Sequence, residues 1–129
     1  MNAIGRPLER VEINGREFQC VGDAAGTRDL GGFSNEYQSN GNPGTGRMIM
    51  TPKGWSVPSQ GLEIDDAAED QEYIQALADS GAKNVDFVFN YGQGVSYQAT
   101  GGLVDTLEFD PMTGTMPTAF GGPGKMTKL

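Results

Sequence analysis

The segment LERVEI-NG-REFQCV, residues 8–21, constrains the fold more than any other part of the chain. Two alternating runs flank Asn14-Gly15, the pair preferred in a type I′ hairpin turn because both residues accept a positive φ. A two-residue turn sets Ile13 against Arg16, Val11 against Phe18 and Glu9 against Cys20. Val11, Ile13, Phe18 and Cys20 then share one face, and Arg10, Glu12, Glu17 and Gln19 share the other. Register and polarity agree, so a strand pair with one face in a core is expected.

The same period of two returns late in the chain. In NVDFVFNY, residues 84–91, Val85, Phe87, Phe89 and Tyr91 face one way and Asp86, Val88 and Asn90 the other. After a turn around Gly92 and Gly94, VSYQAT places Val95, Tyr97 and Ala99 opposite them. Gly101-Gly102 permits a bend before LVDTLEF continues. The turn DPMTG leads to a last short strand, TMPTAF, and the tail GGPGKMTKL is Gly-rich and carries two of the nine basic residues. Phe87, Phe89, Tyr91 and Tyr97 are expected in the core.

One helix is expected, in DAAEDQEYIQALADSG, residues 66–81. Asp65 or Asp66 caps it, Glu69 and Asp70 suit its positive end, and Gly81 ends it. Ile74, Leu77 and Ala78, with Ala67 and Gln71 behind them and Tyr73 beside them, form a narrow apolar stripe. The acidic residues around it lack the alternating ligands and loop Gly of a calcium site, so they read as a solvated face.

Residues 22–60 form a long excursion. Strands are expected near the end of GTRDLGGFSNEYQ and in GRMIMT, followed by a broken strand in KGWSVPSQGLEI. Phe33, Tyr37, Met48, Met50 and Trp55 are too many large apolar groups for a free linker. Either the excursion folds back on its own domain or it packs on a neighbour, and these five are the candidates for contact between subunits. Within the excursion, SNGNPGTGRMIM nearly spells a phosphate-binding loop through Gly41 and Gly46. Arg47 stands in place of the phosphate Lys, and Met48 in place of the hydroxyl that holds Mg²⁺. Pro52 would cut short the helix such a loop must open. The segment reads as a turn between two strands, and no nucleotide cofactor is expected.

Composition narrows the function further. Hydrophobic residues make up 36% and there are 20 Gly, which suits a turn-rich β domain better than a helical bundle. A chain of 129 residues is one domain and can bury about two thirds of its unfolded surface. The expected fold is mainly β: an antiparallel β-sandwich or barrel with one flanking α-helix and a long β-hairpin-like loop. There is no His, which removes Ser-His-Asp and Cys-His catalysis and the commonest transition-metal ligand. The single Cys20 reads as a packed residue, and no Cys cluster offers a metal site. No catalytic, cofactor or metal residue is assigned, and no enzyme activity is expected. Net charge is −8, which disfavours binding nucleic acid through its phosphates. The N-terminal residues lack an apolar leader core, and no apolar run reaches membrane-span length, so folding in a cytoplasm without a membrane anchor is expected.

This order, a strand pair, a long hairpin-like excursion, one helix over 66–80, then closing strands with LEFDPMTG…AFGGPGK, resembles phage tail tube proteins. The likeness is greatest to those of contractile tails, and the type VI secretion tube shares the layout. The resemblance implies homohexameric rings that stack into a hollow virion tube through the excursion and the terminal segments. Sheath, baseplate and tail-terminator proteins would be partners, and DNA would pass through without specific binding. Acidic walls would repel DNA, and polar-face strand residues Glu12, Glu17, Asp86, Asp105 and Glu108 are the lumen candidates. A capsid decoration protein or other virion interaction protein and a small-molecule-binding β-barrel are the alternatives. A carboxylate-dependent hydrolase ranks below them.

Overall fold

A computed structural model describes residues 5, 8–20, 27–42, 44–92, 94–104 and 106–129, with backbone alone at 59 and 60. Its strands in chain order are β1 (Arg10–Ile13), β2 (Arg16–Gln19), β3 (Gly32–Ser39), β4 (Gly46–Lys53), β5 (Trp55–Glu63), β6 (Val85–Asn90), β7 (Ser96–Val104), β8 (Thr115–Gly122) and β9 (Thr127–Lys128). A 3-10 turn (Asp66–Ala68) and helix α1 (Asp70–Asp79) separate β5 from β6.

The main sheet runs β2-β1-β6-β7-β8-β5, with β9 paired to β7 outside that path, and every pairing is antiparallel. A bridge between Cys20 and Leu62 joins the two ends of the path. The sheet therefore closes on itself as a small barrel. The hairpin that starts it has the register expected from the sequence, Val11 opposite Phe18 and Ile13 opposite Arg16. Asn14 and Gly15 take φ of 50° and 87°, as a type I′ turn requires.

Closure depends on β7, which changes partners along its length. Its first half pairs with β6, and Gly102, Leu103 and Val104 pair with β8. A Cβ at Gly101 would lie 2.3 Å from the Gly121 carbonyl, and one at Gly122 would lie 2.6 Å from the Thr100 carbonyl. Only glycine lets the strands approach this closely. Above them lies Trp55, whose indole N–H donates to the Thr100 carbonyl at 3.0 Å. Phe87 and Phe89 meet Trp55 on one side and Phe120 on the other, edge-on or offset, with ring centroids 5.1–5.9 Å apart.

Trp55 is 2% exposed, which corrects its expected place on a contact surface. The strand that carries it holds the reason. Trp55 and Val57 point inward, yet so do Leu62 and Ile64, of opposite parity. Between Val57 and Gln60, β5 spends three steps where β8 spends two, from Phe120 to Thr118. This bulge at Pro58, which has no N–H to give a ladder, switches the inward face.

Helix α1 crosses one end of the barrel. Arg16 at the start of β2 donates to the Ala68 carbonyl and pairs with Asp70. Tyr73 donates to the Ile13 carbonyl, Ile74 is buried, and Leu77 packs on the core. Beyond the helix, the Ala82 carbonyl lies against Gly102 of β7. The expected helix start is corrected. Asp65 caps the 3-10 turn through Ala67 N–H, Glu69 sits at φ 61°, and the α-helix begins at Asp70. Ala67 is exposed and leaves the expected stripe.

Two further expectations change. The strand expected through LVDTLEF stops at Val104, and only Leu107 and Phe109 beyond it pack on the core. The Gly-rich tail also carries a strand that the sequence did not suggest: Met126 is 4% exposed, and β9 pairs Lys128 with Tyr97 and Thr127 with Gln98.

If Trp55 and its glycine floor hold the barrel closed, Trp55→Ala should lose about 3–5 kcal/mol of stability, the usual cost of emptying a large aromatic site. Urea unfolding followed by far-UV circular dichroism measures it. A loss under 1 kcal/mol would mean that closure does not depend on the indole.

Candidate functional site

Strands β3 and β4 form a separate two-stranded arm, paired only with each other. Eight residues per strand give it a length of roughly 26 Å. Phe33 pairs with Pro52, Asn35 with Met50 and Tyr37 with Met48, so these six share one face. Ser34–Thr51, Glu36–Ile49 and Gln38–Arg47 occupy the other. Phe33 is 57% exposed, and Tyr37, Met48 and Met50 are each 58% exposed. The structure thus gathers four of the five expected contact residues on one bare surface and withdraws the fifth, Trp55, into the core.

The arm is ordered at both ends. At its tip the Tyr37 hydroxyl donates to the Thr45 carbonyl at 2.7 Å, and Thr45 N–H donates to the Asn42 carbonyl at 3.1 Å. Gly46 opens strand β4 and Arg47 donates to Gln38 at 2.7 Å. The near-phosphate loop therefore leads into a strand, with no helix N-terminus to meet a phosphate. At the root, Asp29 exchanges both backbone hydrogen bonds with Ser56, and Met126 N–H donates to the Leu30 carbonyl. The Asp29 carboxylate accepts from Gly31 N–H and from Lys53, each at 3.0 Å.

A second surface is the outward face of the strands β2-β1-β6-β7. Glu12 lies directly opposite Glu17 on one side and Val88 on the other. Asp86 is opposite Thr100, whose hydroxyl donates to it at 3.1 Å. Three of the lumen candidates, Glu12, Glu17 and Asp86, thus share this face. Glu108 lies in the irregular segment before β8 and does not join them. Asp105 lies outside the described residues. Like charges directly opposite across a strand pair are destabilising, and Arg10, 3.6 Å from Glu17, offsets this in part.

Elsewhere, chemistry is muted. Burial first, then the nearby Glu63 charge, pushes the Cys20 thiol up to about 12, so it stays protonated and a poor nucleophile at neutral pH. Arg28 lies over Tyr91 and Tyr97 at 4.4 and 4.3 Å, packed on aromatic faces at the rim of the core. Among the described residues no group of His, Cys, Asp or Glu is arranged to hold a metal, and no helix is long and apolar enough to cross a membrane. Sequence reasoning missed the Asp29–Lys53 anchor, because the two are 24 positions apart and no local pattern joins them. Comparison of the chain with protein families, curated proteins and solved structures finds no match.

The Asp29 carboxyl is held below its ordinary value by Gly31 N–H first and by Lys53 second. A depressed carboxyl stabilises the fold above its unfolded value, about 3.9, and that contribution fades as pH falls through the lower folded value. Asp29→Asn should therefore speed hydrogen exchange of β3 and β4 amides at neutral pH while barrel amides stay protected. The native arm should lose its advantage over the variant below about pH 4. Equal arm exchange in both chains at neutral pH would deny Asp29 an anchoring role.

Proposed function

We propose that this chain is a structural subunit that forms rings, and that the rings stack into a hollow tube of the phage tail-tube kind through which DNA passes. The single observation that carries the reading is the β3–β4 arm. An isolated two-stranded hairpin is marginal in water, and this one exposes four large apolar side chains in a row. The barrel behind it is closed and filled. The simplest occupant of that face is a neighbouring copy in the next ring. The resemblance of the chain's layout to contractile-tail tube proteins supports the same reading, with hexameric rings as its expected form.

Two other features agree with it. Trp55, Phe87, Phe89 and Phe120 fill the barrel interior, which weighs against the ligand-holding barrel. Glu12 and Asp86 keep the outward face of β1 and β6 acidic. A conduit wall benefits from that charge, because duplex DNA carries about one negative charge per 1.7 Å of axis.

Electron microscopy of the purified chain tests the proposal directly, and tubes or stacked rings are the expected result. Met48→Asp with Met50→Asp should leave the circular dichroism spectrum of a folded barrel and abolish stacking. Tubes of normal length from that variant would reduce the arm to a surface ornament. The charge argument has its own test. Tubes carrying Glu12→Lys and Asp86→Lys should retain duplex DNA on sedimentation at low salt and release it at high salt, whereas native tubes hold none. Native tubes that sediment with DNA to the same extent would remove the proposed role of the acidic face.

A further inference from the structure

The described basic residues divide into two groups. Arg10 pairs with Glu17, Arg16 with Asp70 and Lys53 with Asp29; Arg28 packs on two Tyr rings and Arg47 bonds Gln38. Lys83, Lys125 and Lys128 have no ion-pair partner among the described residues. Lys83 and Lys125 meet at one side of the molecule, whereas Lys128, next to Thr127 on β9, takes the face of the inward Tyr97. Lys83 and Lys125 line a groove of about 300 Å³ with Asn84, Gln98, Thr100 and Thr127. Lys128 stands on β9, one residue beyond Thr127 and opposite Tyr97. Every one of these side chains can donate a hydrogen bond, and no carboxylate lines the groove.

The opposite side is acidic in the same two layers. In the sheet, β2 is the far strand of the row β2-β1-β6-β7-β9 and carries Glu17. A second groove there is lined by Glu17, Glu63, Asp65 and Asp70 beside Phe18 and Ile64. In the helical layer, α1 begins against Arg16 of β2 and ends toward Gly102 of β7, with Lys83 just past its end. Ten helical residues separate the two sides by roughly 15 Å. The lysines cannot reach these acids within one chain.

We infer that the Lys83–Lys125 side of one copy seats against the Glu17–Glu63–Asp65 side of a second copy, in a head-to-tail lateral contact. A contact between two different patches of identical subunits is heterologous, and it closes into a ring when the rotation between neighbours allows. Charge complementarity identifies the occupant: the lysine groove needs an acidic, oxygen-rich surface, and this chain carries one on the side that a ring neighbour presents. The contact rests on the ring reading and supplies the lateral surfaces that the arm does not. The bland account is that Lys83 and the acids only complement the helix dipole; it leaves Lys125 unexplained.

Two charge reversals and their combination test it, with assembly read by sedimentation velocity and electron microscopy at about 50 mM salt, where screening still leaves the charges in contact. K83E with K125E should shift the protein at least tenfold from rings toward folded protomers, and E17K with E63K should do the same. The chain bearing all four reversals should recover rings, because both sides have then exchanged sign. Rings that persist unchanged in both double variants, or a folded four-reversal chain that stays monomeric, would overturn this contact while leaving the ring reading intact. A native chain that never forms rings at any concentration would remove both together.

Discussion

The Trp55 indole rests on a floor of backbone that only glycine can make. Gly101 and Gly122 bring β7 and β8 close enough for the indole to lie over both and to donate to the Thr100 carbonyl. That approach lets β7 leave β6 and take up β8 in the space of two residues. Without the change of partner the sheet would stay open, and Cys20 and Leu62 would not meet. The aromatic rings then fill the closed space, and each edge-on pair adds about 0.5–1.5 kcal/mol beyond the area it buries. Closure also disposes of most of the edges that make small β proteins prone to aggregate.

What closure leaves over is the arm. It leaves the barrel beside the same Trp55, since β4 ends one residue before β5 begins at Trp55. The root is therefore tied to the barrel by backbone hydrogen bonds and an ion pair, while the blade has no partner among the described residues. Asp29 fastens that root from one side through Ser56 and Lys53. A rigid root beneath an unsatisfied apolar blade presents that face in a fixed direction, which lowers the entropy lost when a partner covers it.

Much of this was legible from residue order. The β1–β2 hairpin, the inward Val85, Phe87 and Phe89, and the helix's Ile74 all follow from period and turn chemistry. So does the arm, whose Phe33, Tyr37, Met48 and Met50 keep one parity on each strand. Trp55 was grouped with the arm because it follows the arm's apolar residues in the chain, whereas its pairing with Gly122 of β8 sets it in the barrel; the extra residue after Val57 then switches the inward face of β5, and only the β8 register reveals it. β9 escaped notice because two residues, Thr127–Lys128, carry no measurable period. The helix start moved because Glu69 takes a left-handed conformation that its side chain does not advertise. The lysine side was illegible for another reason: Lys83 and Lys125 meet only after the sheet has closed and the tail has folded back onto β7.

The energetics of the arm bear on how a tube of such subunits would be built. Four apolar side chains, each a little over half exposed, yield roughly 1–1.5 kcal/mol apiece when fully covered. Their sum, about 4–6 kcal/mol, is at the low end of the 4–15 kcal/mol that association itself costs. A single arm is thus too weak to hold two protomers together. Arms fixed around a ring act together, and each contact after the first is intramolecular. In the proposed tube, lateral contact must therefore precede stacking, and free protomers do not stick through their arms. The back of the arm is mostly polar, with Glu36, Gln38 and Arg47 beside a half-buried Ile49, and this favours docking through the other face. A weak apolar blade on a rigid root, joined to a charged lateral contact, makes assembly depend on ring formation first.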